Sequence, residues 1–102
     1  MIIRPFEDDD RQTVIKLWRR CGLVVAWNDP EADIDRKLRV DPELFVVGLA
    51  GSRLVATAMG GYDGHRGSLY YLAVDAEQQG RGYGRKIADY IADLLEQRGC
   101  PK

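Results

Sequence analysis

The stretch Leu72-Ala73-Val74-Asp75-Ala76-Glu77-Gln78-Gln79-Gly80-Arg81-Gly82-Tyr83-Gly84-Arg85 decides the fold. It opens on an apolar run, turns through acidic residues and glycines, and enters a segment where Ile87, Ile91, Leu94 and Leu95 recur at helical spacing. A strand therefore hands over to a helix through a glycine loop. Arg98-Gly99-Cys100-Pro101 then stops the helix, with a cation in the last turn, glycine after it, and proline. The run over residues 68–74 is almost continuously apolar, which predicts a central strand.

Upstream, residues 2–6 read as a short first strand closed by acidic residues. Asp9 is placed to cap a helix, with Gln12 three positions on as a capping box requires. Val14, Leu17, Trp18 and Cys21 form its buried stripe, and Gly22 ends it. A second helix starts at Asn28-Asp29-Pro30, with Asp29 as cap and proline at the first helical position. Ile34 and Leu38 mark its apolar side, and Asp41-Pro42 closes it. Two strands, over residues 44–50 and 53–59, are joined by the tight Ala50-Gly51-Ser52 turn. Residues 60–67, with four glycines, read as a loop. The order is β-α-α-β-β-β-α, an α/β chain with no repeat and no linker. A strand followed by such a helix normally crosses over to a parallel neighbour, giving a mixed sheet. That strand would begin where the sequence stops, so the reading is a single domain over residues 1–102, incomplete at its C-terminus.

Composition bounds the function. The chain has 102 residues, 15 basic against 16 acidic, and a net charge of −1. That balance argues against a nucleic-acid surface. No apolar run reaches the roughly 20 residues of a bilayer span, and the N-terminus has no leader pattern. The expectation is a cytoplasmic protein without a membrane partner. Cys21 and Cys100 make no disulfide framework and have no metal-ligand spacing, so they read as small hydrophobes and no metal is expected.

Glycines let the backbone turn tightly and remove β-carbons from the path of a ligand. Amides over residues 80–85 then face outward at a helix N-terminus, which is suited to phosphate, with Arg81, Arg85 and Lys86 nearby. Each hydrogen bond to a charged oxygen contributes on the order of 1.5–3 kcal/mol. Three or four of them approach the ~8 kcal/mol of a micromolar ligand. A phosphate loop needs Gly-Lys followed by Ser or Thr, which is absent. A dinucleotide fingerprint needs a third glycine where Arg85 stands. What remains is Gln-x-x-Gly-x-Gly, supplied by Gln79, Gly82 and Gly84.

Leu72-Ala73-Val74 followed by Gln79-Gly80-Arg81-Gly82-Tyr83-Gly84 resembles the acyl-CoA signature of the GNAT (Gcn5-related) N-acetyltransferases. The element order resembles the front of that fold. Trp27-Asn28-Asp29-Pro30-Glu31 and Gly60-Gly61-Tyr62-Asp63-Gly64-His65-Arg66-Gly67 are similar to segments of its bacterial members. The resemblance implies acetyl-CoA as co-substrate and a primary amine of a small molecule or protein as acceptor. It implies that amides over residues 80–85 (Gly80, Arg81, Gly82, Tyr83, Gly84 and Arg85) hold the pyrophosphate of coenzyme A. Leu72, Ala73 and Val74 would pair with the pantetheine arm, and the Leu72 amide would polarise the thioester carbonyl. It also implies an early strand glutamate as base, where this sequence has Ser68, so the general base is unassigned.

The resemblance places acceptor recognition in the segment between the first two helices, which makes Trp27, Asn28 and Asp29 the acceptor-side candidates beside Tyr70, with Asp33 able to attract a cation. On its own Trp27 reads as packing rather than a lid, and capping explains Asp29 equally well. Tyr70 and Tyr71 alternate across the strand, so one belongs to the core and the other to the cleft. His65, beside Asp63 and Arg66, reads as a turn residue rather than a base, and Ser52 and Ser68 lack a hydrolase context. Deprotonating a lysine-like amine at pH 7 costs roughly 4.6 kcal/mol, against about 1 for an α-amine, so the missing base favours weaker amines. The alternatives are a non-catalytic acyl-CoA-binding module, or a fragment whose open sheet edge pairs with another chain, a homodimer among the outcomes.

Overall fold

The computed structural model describes residues 1–25 and 29–99. Seven regular elements follow the expected order: β1 (Ile2–Pro5), α1 (Arg11–Arg20), α2 (Pro30–Arg39), β2 (Phe45–Ala50), β3 (Arg53–Tyr62), β4 (Gly67–Val74) and α3 (Tyr83–Gln97). The strands form one sheet in the order β1-β2-β3-β4, and every pairing is antiparallel. A mixed sheet needs a parallel neighbour that these four strands do not include. Among the described residues β4 therefore stands at the end of the sheet, although its apolar run suggests a central strand. Leu69, Tyr70 and Leu72 are each about two-fifths exposed there.

Helices cover both faces. On one, α1 and α2 pack Val14, Leu17, Trp18 and Ile34 against Phe45, Val47 and Met59. Phe6 and Phe45 stack with ring centroids 4.3 Å apart, and Trp18 continues that stack. On the other, α3 lays Ile87, Ile91 and Leu95 on Val46, Val55 and Ala58. Burial of each such aliphatic side chain contributes on the order of 1.5–3 kcal/mol. The period-2 alternation of β2 and β3 splits their apolar residues between the two faces, which is why both strands are apolar almost throughout.

Local signals decide the helix ends. Gly22, at φ 73°, follows α1, and the Leu23 amide reaches back to the Trp18 carbonyl at 2.9 Å. Asp29 caps α2 by accepting from the Ala32 amide at 3.2 Å. The α1 start differs from expectation: Asp8–Asp10 form a 3₁₀ turn, and neither Asp9 nor Gln12 makes the capping box. Glu7 and Asp10 do, with the Glu7 amide donating to Asp10 Oδ2 at 2.9 Å. Arg4 of β1 draws the cap to Asp10, through a two-pronged pair at 2.8 and 3.0 Å. Gln12 instead donates to Glu31 at the start of α2.

The expected loop over residues 60–67 also shrinks. β3 runs on to Tyr62 and β4 starts at Gly67. Asp63 closes the turn by accepting from the His65 and Arg66 amides, both at 2.8 Å. Gly60 lies in a strand because Ile91 crosses directly over it: a β-carbon there would stand 2.7 Å from Ile91 Cγ2. Glycine at this position makes room for a neighbour instead of making a turn. Gly99, at φ 85°, follows α3 as expected. Cys100 and Pro101 lie outside the described residues.

Candidate functional site

The junction of β4 and α3 is built as an open cradle. Asp75 is buried and accepts from Glu77 at 3.2 Å, while Arg20 and Arg53 both reach it, at 3.1 and 3.2 Å. The Glu77 amide above all, and the two guanidiniums, hold its carboxyl below the usual range against the opposing effect of burial. This anchor fixes the chain as it leaves β4. The Gln79 side chain donates to the Val74 carbonyl at 3.1 Å, so its amide nitrogen ties the loop to the strand end. Gly80 and Gly82 then take left-handed φ values of 84° and 77°, and Gly82 stands at the N-cap of α3. Any β-carbon on either would meet nothing within 4 Å, so the space beside them is open.

Among the described residues, the backbone amides over residues 80–85 have no acceptor within the chain. They are the orphan donors of a helix N-terminus, joined by those of the glycine turn before it. A cavity of about 370 Å³ lies against them, lined by Leu72 and Val74 of β4 and by Gln79, Gly80, Gly82, Tyr83 and Gly84. A β-carbon on Gly84 would meet Val74 at 3.5 Å, which shows how closely α3 approaches the strand there. Tyr83 is half-buried, packing on the α3 side of the core while it lines the cavity. Arg81 and Arg85 are exposed, and the contact of Arg85 with Asp89 is loose, at 3.9 Å. The cradle thus offers free amide donors and exposed cations, the chemistry of a site for an anionic group such as a diphosphate.

A bulge in β4 lies beside this cradle. Thr57 pairs with Ala73 and Met59 with Tyr70, so Tyr71 and Leu72 together oppose Ala58 alone. Tyr71 takes φ 53°, a left-handed value that a bulky residue rarely adopts. Its surroundings hold it there. The Thr57 hydroxyl donates to the Tyr71 carbonyl at 3.0 Å and itself accepts from Trp18 Nε1 at 2.9 Å. The Tyr71 ring stacks on Trp18 at 4.0 Å, and its hydroxyl donates to Asp33 of α2. The bulge overturns the expectation that Tyr70 and Tyr71 face opposite ways. An extra residue cancels one alternation, and both rings line the same cavity.

That second cavity, of about 300 Å³, lies between α2 and β4 and is lined by Asp33, Arg36, Lys37, Val40, Met59, Tyr70 and Tyr71. Asp33 and Arg36 form an ion pair. Lys37 is only 7% exposed, donates to the Gly60 carbonyl, and sits 5.9 Å from the centre of the Tyr70 ring. Burial pulls its ammonium below the usual lysine range, helped by Arg98 and opposed by Asp41. The two cavities flank the bulge, one on each side of β4.

The sequence candidates therefore separate. Leu72, Val74, Gln79, Gly80, Gly82, Tyr83 and Gly84 come together in the first cavity, and Tyr70 falls in the second. Ala73 is buried beneath α1 and faces away from the cradle. Asp29 caps α2 and lines neither cavity. Trp27 and Asn28 lie outside the described residues. His65 is exposed in the β3–β4 turn, and Ser68 is exposed opposite Gly61. Sequence reasoning singled out neither Lys37 nor Arg36. The available signal was position: Lys37 follows Ile34 by three residues and so shares its buried face.

Comparison with known proteins agrees with this architecture. The family model "Acetyltransferase (GNAT) family" matches residues 8–102. An acetyltransferase of Yersinia pestis (strain Pestoides F) is 51% identical over all 102 residues, which span 72% of that relative. An acetyltransferase of Pectobacterium atrosepticum matches to the same extent. Among solved structures, Ard1 from Thermoplasma volcanium superposes with a TM-score of 0.84 at 21% identity, over 97% of this chain and 66% of that one. A GNAT family acetyltransferase from Brucella melitensis, solved in complex with acetyl-CoA, gives 0.72 at 19% identity, over 97% and 70%.

Proposed function

The chain belongs to the GNAT acetyltransferase family, and from that premise we propose that it transfers an acetyl group from acetyl-CoA to a primary amine, with residues 1–102 acting as a single domain. One observation carries the reading: free amides over residues 80–85 face a cavity whose opposite wall is the exposed edge of β4. A diphosphate fits those amides, and Arg81, Arg85 and Lys86 add charge at the rim. The side of β4 that no described strand pairs suits an extended amide-bearing arm, which would add to the sheet as a strand does.

The bulge has a role in this reading. It breaks the regular ladder at Tyr71 and Leu72 and so alters which amides face outward. The Leu72 amide is our candidate donor to the thioester carbonyl, held in place before the ligand arrives. The Trp18–Thr57–Tyr71 network keeps it there. The acceptor amine would approach from the α2 side, where the second cavity lies. The solved Brucella relative holds acetyl-CoA, and a Neisseria gonorrhoeae N-acetylglutamate synthase of the same fold was solved with coenzyme A and N-acetyl-glutamate.

Calorimetric titration with acetyl-CoA tests the binding, and free coenzyme A released over a panel of amines tests the transfer. No heat at millimolar protein and ligand would reject the reading. Heat without release would favour a second one, an acyl-CoA-binding module, which the serine at position 68 in place of a base supports.

A further inference from the structure

The cavity between α2 and β4 carries a charge pattern that the acetyl-transfer reading does not explain. Asp33, Arg36 and Lys37 occupy positions i, i+3 and i+4 of α2 and therefore share one helix face. A turn of helix separates Asp33 from Lys37, about 5–6 Å between β-carbons. Asp33 is satisfied by Tyr71 and Arg36, yet a carboxylate offers about four acceptor sites, so it retains capacity for an ammonium group.

Lys37 is the opposite case. Its ammonium has three donors and gives one to the Gly60 carbonyl. Among the described residues it meets that carbonyl and the Tyr70 ring, and it makes no ion pair. A buried ammonium with no direct ion-pair contact is unfavourable, and burial lowers its pKa even though the more distant Asp41 opposes this. A structural tether to Gly60 needs only a neutral donor. A cation beside a cavity, with a second cation, Arg36, on the same wall, is a place for an anion.

We infer that the acceptor is a free apolar α-amino acid, its carboxylate lying between Lys37 and Arg36 and its amine directed to Asp33. The inference rests on the acetyl-transfer reading above. Val40, Met59 and Tyr70 supply the apolar part of the wall, which suits an aliphatic side chain. Simple amines, polyamines and aminosugars bring positive charge to a wall that already has two cations for one carboxylate. They lack the group that Lys37 requires, so the same residues that recruit an amino acid reject them.

The test is calorimetric titration of the whole chain with L-leucine, L-leucinamide and 3-methylbutylamine. These three share one side chain and differ only in the carboxylate. Each arm is run with and without saturating coenzyme A, which carries no acetyl group, so binding is read without turnover. Coenzyme A alone is a separate control: its failure to bind would count against the acetyl-transfer reading, while the leucine arms still report on the cavity. The expected result is leucine binding at least about tenfold tighter than either analogue. Lys37→Met and Arg36→Gln should each shrink that ratio toward one without changing coenzyme A affinity. Arg36 is exposed, so its variant keeps the fold even if the Lys37 variant does not. Equal binding of the three ligands, no binding of any, or a ratio that survives Arg36→Gln would overturn the inference.

Discussion

Thr57 and Gly82 show how single residues shape the site. Thr57 is fully buried, and its hydroxyl satisfies two groups at once, the Trp18 indole and the carbonyl of the left-handed Tyr71. Thr57→Val keeps the shape and orphans both. Leaving a buried polar group unsatisfied costs about 1–3 kcal/mol. We expect a Tm lower by roughly 4–8 °C for each kcal/mol lost, together with weaker acetyl-CoA turnover, because the bulge is no longer pinned. Thr57→Ser retains the hydroxyl and should recover most of the turnover, which thermal melts and release assays on the pair would show. Gly82 fails in a different way. Nothing lies within 4 Å of its would-be β-carbon, so a side chain there projects into open space beside the amides, and φ 77° strains any L residue. Gly82→Trp should abolish the acetyl-CoA titration heat while near-native circular dichroism persists. Retained heat would show that the ligand binds elsewhere.

At the scale of elements, the contacts between helices and strands set what can change. β3 is pinched at Gly60, with Ile91 of α3 above one face and Lys37 of α2 bound to its carbonyl from the other. Gly60→Val would force α3 away, and overpacking of this kind costs typically 1–3 kcal/mol. The expected readout is a lower denaturant midpoint, with α3 amides losing hydrogen-exchange protection first. At the β1–α1 joint, hydrogen bonding to Arg4 holds the Asp10 carboxyl below its ordinary 3.8. A carboxyl whose pKa is depressed on folding stabilises the fold above 3.8, and that contribution fades as pH falls through the lowered value. Asp10→Asn should therefore be less stable than the parent at pH 7, and the difference should close below pH 3.8. A gap that stays constant down to pH 2 would place the effect in packing instead of charge.

The same scale shows what the sequence could reveal. Helix positions were legible from the spacing of Val14, Leu17 and Trp18, or of Ile87 and Ile91, because burial on one face leaves a 3.6-residue period. The glycine cradle was legible because left-handed φ demands a particular residue type. Two features were not. The Tyr71 bulge depends on Thr57 and Trp18, 14 and 53 residues away in the chain, and no local pattern announces a bulky residue at φ 53°. The second cavity depends on which face of α2 meets β4, which no local pattern around Arg36 and Lys37 states. β4 misled for a related reason: an apolar run reports that a strand can be covered, and says nothing of whether these four strands cover it.

For the molecule as a whole, ligand binding and folding should be coupled through β4. Among the described residues this strand is paired on one side, by β3, and it carries both the bulge and the wall of the amide-lined cavity. A ligand that lies along its other side and reaches the amides over residues 80–85 joins β4 to the start of α3, and both belong to the native state alone. Binding only to the folded chain adds RT ln(1 + [L]/Kd), about 2.7 kcal/mol at a ligand concentration a hundred times Kd. For a chain of this size that corresponds to a rise in Tm of roughly 10–20 °C. The cationic rim makes part of the gain electrostatic, so the rise should shrink between low and physiological salt. Melts with acetyl-CoA, with coenzyme A and with dephosphorylated pantetheine separate the contributions. If amides and rim cations supply the grip, coenzyme A should match acetyl-CoA and pantetheine should do little. Equal stabilisation by pantetheine would shift the binding energy from the glycine cradle to the strand edge.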